Sequence, residues 1–320
     1  MVIDAPIDGA YGELPNPAPQ SSMLVPAIVR SPVVTTASRL LLALALVAGA
    51  QAAFAGAAFA VEPENDGSTE AVSPPVSQPV KGAEGPQAKP GGGSTTRGFD
   101  ISYPQCGGAY PSNSAFGIVG VNGGRVYSVN PCLAGQIVWG GGAAAELYVN
   151  TGNPGPALSS FWPAGQTAPR FCDPNNTDTA DCAFDYGWNA AKHSFETAEA
   201  AYLQLGITTS PSATAWWLDV ETSNSWREDN LALNVAALEG EVEYLLGRGI
   251  RRLGFYSTTY QWGQITGGTK VFAAYPSWGA GARNERVARN LCASTTTSFT
   301  GARLVMVQYP YQGFDANVRC

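Results

Sequence analysis

The fold is decided by the stretch ATAWWLDVET at residues 213–222, which is apolar for several positions and then carries two acids separated by one valine. A continuous apolar run of this length, set between two helical patterns, predicts a buried strand of a parallel sheet. Side chains alternate between the two faces of a strand, so Trp217, Asp219 and Glu221 are predicted to point the same way. Two carboxyl groups on one face resist joint ionisation.

Such a pair predicts glycosidic bond cleavage, in which one carboxyl group is protonated as a general acid and a second is ionised. Glu221 is the predicted general acid, because apolar walls and the neighbouring Asp219 both favour its protonated form. Asp219 is expected to stay ionised and to stabilise positive charge at the anomeric carbon. The D-x-E pattern is short, so two strand-end acids that simply face solvent are the alternative.

Outward from this stretch, predicted strands alternate with helical patterns. Apolar residues recur every three or four positions over residues 184–205 and 231–245, which predicts two amphipathic helices. Residues 131–144 are ambiguous and are interpreted as a short helix. Further strands are predicted at residues 98–102, 116–121, 145–149, 252–256, 273–278, 302–309 and 314–318. About eight alternations predict an α/β fold, an irregular (β/α)8 TIM-like barrel over residues 98–320.

Two segments precede the predicted barrel. In residues 1–60, Arg39 is followed by a Leu- and Ala-rich run that ends in an A-x-A site at Ala58–Ala60, which predicts a secretory signal peptide. The alternatives are a retained membrane anchor, because the run approaches the ~20 residues of a span, and a start at Met23. Residues 61–97 are rich in Pro, Gly and Ser and predict a disordered linker. A secreted or wall-associated protein, free of the membrane after signal cleavage, is therefore expected.

Charge and cysteine usage narrow the function classes. The chain has 18 basic and 25 acidic residues, a formal net charge of −7, and no basic patch, so nucleic-acid binding is not expected. Its six cysteines lie after residue 97 and lack a C-x-x-C motif, and His193 is the only histidine, so a zinc site is not expected. No metal and no cofactor are predicted.

Three disulfides are the better interpretation of six cysteines behind a signal peptide. The loop 172–182 carries several acids and invites a calcium interpretation, but it lacks the glycine and the glutamate of an EF-hand loop, so a disulfide-closed surface loop is favoured. The predicted pairs are Cys172–Cys182, Cys106–Cys132 and Cys292–Cys320.

Over residues 98–320 the chain resembles the family 25 glycoside hydrolases, which are lysozyme-type muramidases on an irregular β/α barrel. The resemblance lies in motifs that follow one another as successive strand ends: FDIS at 99–102, FGIV at 116–119, LDVE at 218–221, GFYS at 254–257, VQY at 307–309 and GFDAN at 313–317. It implies that Glu221 is the general acid and Asp219 its partner, with Asp100 and Asp315 as further acids of the site. It also implies that Tyr256 and Gln308 line the groove, and that the anomeric configuration is retained.

The predicted function is a secreted, monomeric glycosidase that hydrolyses peptidoglycan, with cell-wall polysaccharide as its partner. Aromatic faces for sugar rings are expected from Trp217, Tyr256, Trp262 and Tyr309, and hydrogen bonds to sugar groups from Asn150, Gln308 and Asn317. The chain departs from the family after the second strand, at residues 122–124, and after the third, at residues 149–150. These departures leave a non-lytic glycan- or cell-surface-binding barrel, or a purely structural domain, as alternatives.

Overall fold

A computed structural model describes residues 96–295 and 297–320, in which eight strands close into a barrel in chain order. The predicted leader, and all but the last two residues of the predicted linker, lie outside the described residues. The strands are β1 (Arg97–Ile101), β2 (Gly117–Gly120), β3 (Glu146–Asn150), β4 (Ala215–Asp219), β5 (Arg252–Ser257), β6 (Ser277–Gly279), β7 (Leu304–Tyr311) and β8 (Phe314–Arg319).

The last strand gives the barrel its irregularity. Strands β1 to β7 pair in parallel, whereas β8 runs antiparallel to both β7 and β1. The carboxyl ends of the parallel strands and the start of β8 therefore meet at one end of the barrel, which we call the upper end; the opposite end is the lower end. The predicted α/β barrel is confirmed, and each predicted strand overlaps an observed one.

Five α-helices occur within the described residues: α1 (Leu133–Gly140), α2 (Ala180–Gln204), α3 (Leu231–Gly247), α4 (Thr259–Thr266) and α5 (Glu285–Ser294). The short helix expected within residues 131–144 is α1. The long helices α2 and α3 cross at Gly187 and Gly240, where an added Cβ would collide with the carbonyl oxygens of Ala237 and Phe184. Within residues 96–295 and 297–320, no helix is both long enough and apolar enough to span a bilayer.

The apolar core has two layers that strand parity separates. Trp216 is buried between the strands and the helices, together with Phe195, Leu245 and Phe255. Its neighbour Trp217 points into the barrel, where a smaller cluster forms with Ile118, Tyr256, Trp278 and Met306. The opposite orientation of the two tryptophans follows from the period of two residues along a strand.

The three predicted disulfides are all present, and the described residues hold no free cysteine. Cys172–Cys182 closes the acidic loop before α2, and both of these residues are fully buried. Two acids of this loop are held by arginines: Asp178 pairs with Arg227 and Asp181 with Arg170. The loop is thus ordered by covalent and ionic contacts of the chain itself.

Candidate active site

An open cleft of about 270 Å³ lies at the upper end of the barrel, inside the ring of strand ends. Four acids reach it from three places: Asp100 from β1, Asp219 and Glu221 from the end of β4, and Asp315 from β8. The other lining residues are Tyr148, Tyr256, Trp278 and Gln308. The upper end is where barrels of this architecture carry their chemistry, so the cleft is the candidate active site.

Asp100 and Asp315 come together because they are directly opposed partners of β1 and β8. Like charges in directly opposed positions destabilise a sheet, so the pair is costly. Asp100 is buried and accepts hydrogen bonds from Asn317 Nδ2 at 2.6 Å and from Gln308 Nε2 at 3.1 and 3.2 Å. Burial and the charge of Asp315 raise the pKa of Asp100 to about 7, against the effect of these donors.

Asp219 and Glu221 form the second acidic pair, as strand parity predicts. Asp219 is only 3% exposed; its Oδ2 accepts a hydrogen bond from Asn150 Nδ2, and its Oδ1 is buried without a partner. Burial and the neighbouring Glu221 raise the pKa of Asp219 well above its usual value. Glu221 is half-buried; burial raises its pKa, while Gln261, whose Nε2 lies 3.5 Å from Glu221 Oε1, opposes that shift.

The surroundings of Asp219 do not favour the ionised state that was predicted for it. Asp219 was expected to be the ionised member, but it is the more buried of the two, and only Asn150 favours its charged form. Two coupled carboxyl groups titrate as a pair, so the first proton leaves the pair and not one fixed residue. No lysine or arginine lines the cleft, and the described part of the chain has no group of three or more His, Cys, Asp or Glu residues arranged to hold a metal ion. The arrangement is suited to proton transfer and to stabilising a cation.

Trp217 does not line the cleft, which corrects the prediction that it forms an aromatic wall there. It points into the barrel as expected but lies one layer lower, and its Nε1 donates to Glu146 Oε2 at 3.0 Å. Glu146 also accepts a hydrogen bond from Arg319 Nη2 at 2.8 Å, and all three residues line a separate pocket at the lower end. Residues two apart on a strand are separated by about 6.5–7 Å along it, which is enough to move a ring from the mouth into the core.

Trp262 and Tyr309 are also wrongly predicted as sugar-binding residues. Trp262 is 1% exposed and packs on α4 against Phe255 and Phe272, in the layer between helices and strands. Tyr309 is equally buried on the outer side of β7, where its hydroxyl accepts a hydrogen bond from Arg97 at 2.7 Å. Neither ring can reach a ligand in the cleft.

Asn150 and Asn317 each donate a side-chain hydrogen bond to an acid of the cleft. Asn150 donates to Asp219, and Asn317 donates to Asp100 while it accepts a hydrogen bond from Trp278 Nε1 at 2.8 Å. Asn317 is 0% exposed, so its amide is already satisfied within the protein. The prediction that it binds sugar hydroxyls is therefore wrong.

Tyr256 and Gln308 lie in the cleft, where the Tyr256 hydroxyl donates to Gln308 Oε1 at 2.7 Å. Sequence reasoning missed two further lining residues, Tyr148 and Trp278. Trp278 is the register partner of Tyr256 on the next strand, and their ring centroids are 4.5 Å apart. Aligning the carboxyl ends of the predicted strands β5 and β6 would have placed Trp278 beside Tyr256.

Among known proteins, the chain is similar only to solved structures. No protein-family profile matches the chain, and no curated protein matches it. Three similar structures are a muramidase from Trichobolus zukalii (18% identity, TM-score 0.45, 70% of this chain and 93% of that chain), a bacterial lysozyme from Streptomyces coelicolor (14%, 0.44, 70% and 91%) and a family GH25 lysozyme from Aspergillus fumigatus (16%, 0.42, 69% and 91%). At these identities and TM-scores the likeness carries no conclusion about the reaction.

Proposed function

We propose that the protein is a secreted glycosidase that hydrolyses glycosidic bonds of peptidoglycan, with Glu221 as its general acid. The observation that supports this is the cleft itself: four carboxyl groups converge in one open site that no lysine or arginine lines. The transition state of glycosidic cleavage resembles an oxocarbenium ion, so it needs a proton donor for the leaving oxygen and a negative charge beside the sugar. Carboxyl groups that share a site can provide both, because one of them stays protonated while another is ionised.

In the proposed reaction, Glu221 passes its proton to the glycosidic oxygen as the bond from that oxygen to the anomeric carbon breaks. Glu221 acts as donor because it is half-buried at the cleft, whereas Asp219 is almost inaccessible. The negative charge left on the Asp219–Glu221 pair stabilises the cationic sugar. Water then adds to the anomeric carbon and returns one proton to Glu221, so the enzyme is regenerated.

Asp100 and Asp315 hold the substrate from the opposite wall. Asp100 has a pKa of about 7, so it is protonated over much of the weakly acidic range and can donate to a sugar oxygen. Tyr148 and Tyr256 offer the aromatic surface of the cleft, against which the apolar face of a pyranose packs, and the buried Trp278 supports both rings from below. Retention of configuration, expected from the family resemblance, is part of the proposal.

The test is loss of turbidity of purified cell walls with wild type, Glu221→Gln and Glu243→Gln. Glu221→Gln is expected to lower the rate about 10²–10⁴-fold, the usual contribution of a general acid. Glu243 is exposed on α3, far from the cleft lining, so its variant serves as the matched control and keeps full activity. Undiminished hydrolysis by Glu221→Gln contradicts the assignment. Wild type that binds walls without clearing them points to the non-lytic alternative.

A further inference from the structure

A second depression at the upper end, of about 420 Å³, is larger than the acidic cleft and has no role in the proposed reaction. The loops that follow β2, β3 and β4 form it, so it belongs to the same end of the barrel. We call it the loop pocket; its lining includes Arg125, Tyr127, Phe161, Tyr186, Asn224 and Ser225.

One wall of the loop pocket is aromatic. The rings of Tyr127 and Phe161 are stacked, with centroids 4.3 Å apart and planes at 4°. The Tyr127 hydroxyl donates to the carbonyl oxygen of Tyr186 at 2.9 Å, which anchors the stack to α2. Phe161 is nonetheless 55% exposed. A fixed and exposed aromatic face is the surface on which the apolar side of a pyranose packs.

The backbone at Tyr127 is strained. Its φ is +59°, in the left-handed region that glycine adopts without cost and bulky side chains avoid. Ser128 holds the loop in this form, since its Oγ accepts from the amide of Gly123 at 2.9 Å and donates to the carbonyl of Arg125. Strained positions of this kind occur frequently at ligand-binding sites.

The loop pocket also carries an unused positive charge. Within residues 96–295 and 297–320, the guanidinium of Arg125 is exposed and forms no ion pair or side-chain hydrogen bond. Nearby Arg227 differs, because Asp178 and Asp229 both bind it. A free guanidinium beside an aromatic face suits a carboxylate, which it can bind through two parallel hydrogen bonds.

The loop pocket is tied to the strand that carries the acids. The amide of Thr151 donates to the carbonyl oxygen of Asp219 at 3.1 Å, and the amide of Asn153 donates to that of Ser225 at 2.8 Å. Ser225, which lines the loop pocket, lies four positions after Glu221. The loop after β4 therefore leads from Glu221 in the cleft to Ser225 in the loop pocket, and the loop after β3 is hydrogen-bonded to it.

We propose that the loop pocket binds a sugar unit that carries a carboxylate, with its ring on Phe161 and its carboxylate on Arg125. The inference rests on the proposed function, since it places a further unit of the same polymer beyond the acidic cleft. The carboxylate can belong to the sugar itself or to a peptide attached to it, and the two sources share the same chemistry.

The test is titration calorimetry with the full chain bearing Glu221→Gln, which prevents turnover. The probes are N-acetylglucosaminyl-N-acetylmuramic acid with its free lactyl carboxylate, the same disaccharide bearing an L-Ala-D-Glu dipeptide, and uncharged chitobiose. Adding Arg125→Gln is expected to weaken by about tenfold the binding of each carboxylate probe that the parent chain binds. The affinity for chitobiose should not change. Phe161→Ala should weaken every probe that binds, also by about tenfold. Arg251→Gln, which removes an exposed arginine at the lower end, is the control and should change none.

The two carboxylate probes identify the source, because the lactyl group of the second is blocked. Unchanged binding of both carboxylate probes by Arg125→Gln overturns the proposal, and so does a parent chain that binds neither of them. Failure of the proposed function gives a different result, namely wild type that does not clear cell walls. Circular dichroism of each variant shows that the fold is kept, as expected for two exposed positions.

Discussion

The two ends of the barrel hold buried carboxyl groups in opposite electrostatic surroundings. At the lower end, Glu146 accepts hydrogen bonds from the Arg319 guanidinium and from the Trp217 indole, so both of its oxygens have partners. At the upper end, one oxygen of Asp219 has no partner, and the charges that act on Asp219 are those of two other acids, Glu221 and Asp100. Glu146 is thus neutralised by a cation, whereas the buried Asp219 has one oxygen without a partner and no cation in its cleft, as is common for reactive groups.

Among the variants that test this difference between the two ends, Asp219→Asn is expected to have the largest effect. Activity should fall about 10²–10³-fold, because the pair loses its second acid. Stability at neutral pH should rise by about 1–2 kcal/mol, since a buried group that resists ionisation becomes a neutral amide that still pairs with Asn150. Turbidity assays and urea unfolding measure the two effects.

The increase in stability expected of Asp219→Asn should depend on pH, and this dependence serves as the control. Because the pKa of Asp219 is raised in the folded state, wild type loses stability as pH rises through that pKa. Below the ordinary pKa of 3.8 the group is protonated in both the folded and unfolded states, so the gain from Asp219→Asn should disappear. A gain of equal size at low pH would show that it has another cause.

The converse change is Glu146→Gln at the lower end. It should lower the free energy of unfolding by about 2 kcal/mol and leave the rate of wall hydrolysis unchanged. The loss is smaller than for a fully buried pair, because the Arg319 side chain is 47% exposed and water can replace part of the contact. Denaturant midpoints of wild type, Glu146→Gln and Glu243→Gln measure it; a variant as stable as wild type removes the contrast between the two ends.

A smaller effect is expected at the pair formed by β1 and β8. Asp315→Asn removes the like charge beside Asp100 and should lower the pKa of Asp100 from about 7 by roughly one unit. Burial is the larger cause of the raised pKa and stays in place, so the value should remain above 3.8. Carbon-13 NMR titration of the Asp100 carboxyl group reads it directly, and an upward change would contradict the assigned repulsion.

The smallest expected effect concerns Gln261. Gln261→Ala removes a long hydrogen bond to Glu221 that favours the ionised form, so the pKa of Glu221 should rise further. The basic limb of the activity profile should therefore move to higher pH. Gln264→Ala, an exposed position on the same helix, is the control; a shift of the limb to lower pH would reverse the assignment.

Strand parity accounts for what could be predicted of the site. Alternation of faces is a property of the backbone, so the order of residues along β4 is enough to place Asp219 and Glu221 on one side of the strand. The same rule excludes Tyr309, because its neighbour Gln308 faces the cleft. Applied to both strands, parity would have removed one wrong residue.

Depth and loop position could not be predicted in the same way. Trp217 lies on the predicted face but one layer too low, because the height of a residue depends on the register between strands and no single strand contains that information. The loop pocket joins residues of three loops, such as Arg125 and Phe161, that share no local pattern. Its existence follows only from the closed barrel, which brings those loops to one end.

The antiparallel direction of β8 also determines at which end of the barrel another molecule can be attached. Arg97, the first residue of β1, is the register partner of Val318, so the strand that opens the barrel and the strand that completes it meet at the lower end. A fully parallel barrel would instead end its last strand beside the cleft. An affinity handle, a fusion partner or a solid support joined after Cys320 would therefore leave the acidic cleft pointing away from it, and joining residue 320 to residue 97 by a short linker would permit circular permutation without crossing the site.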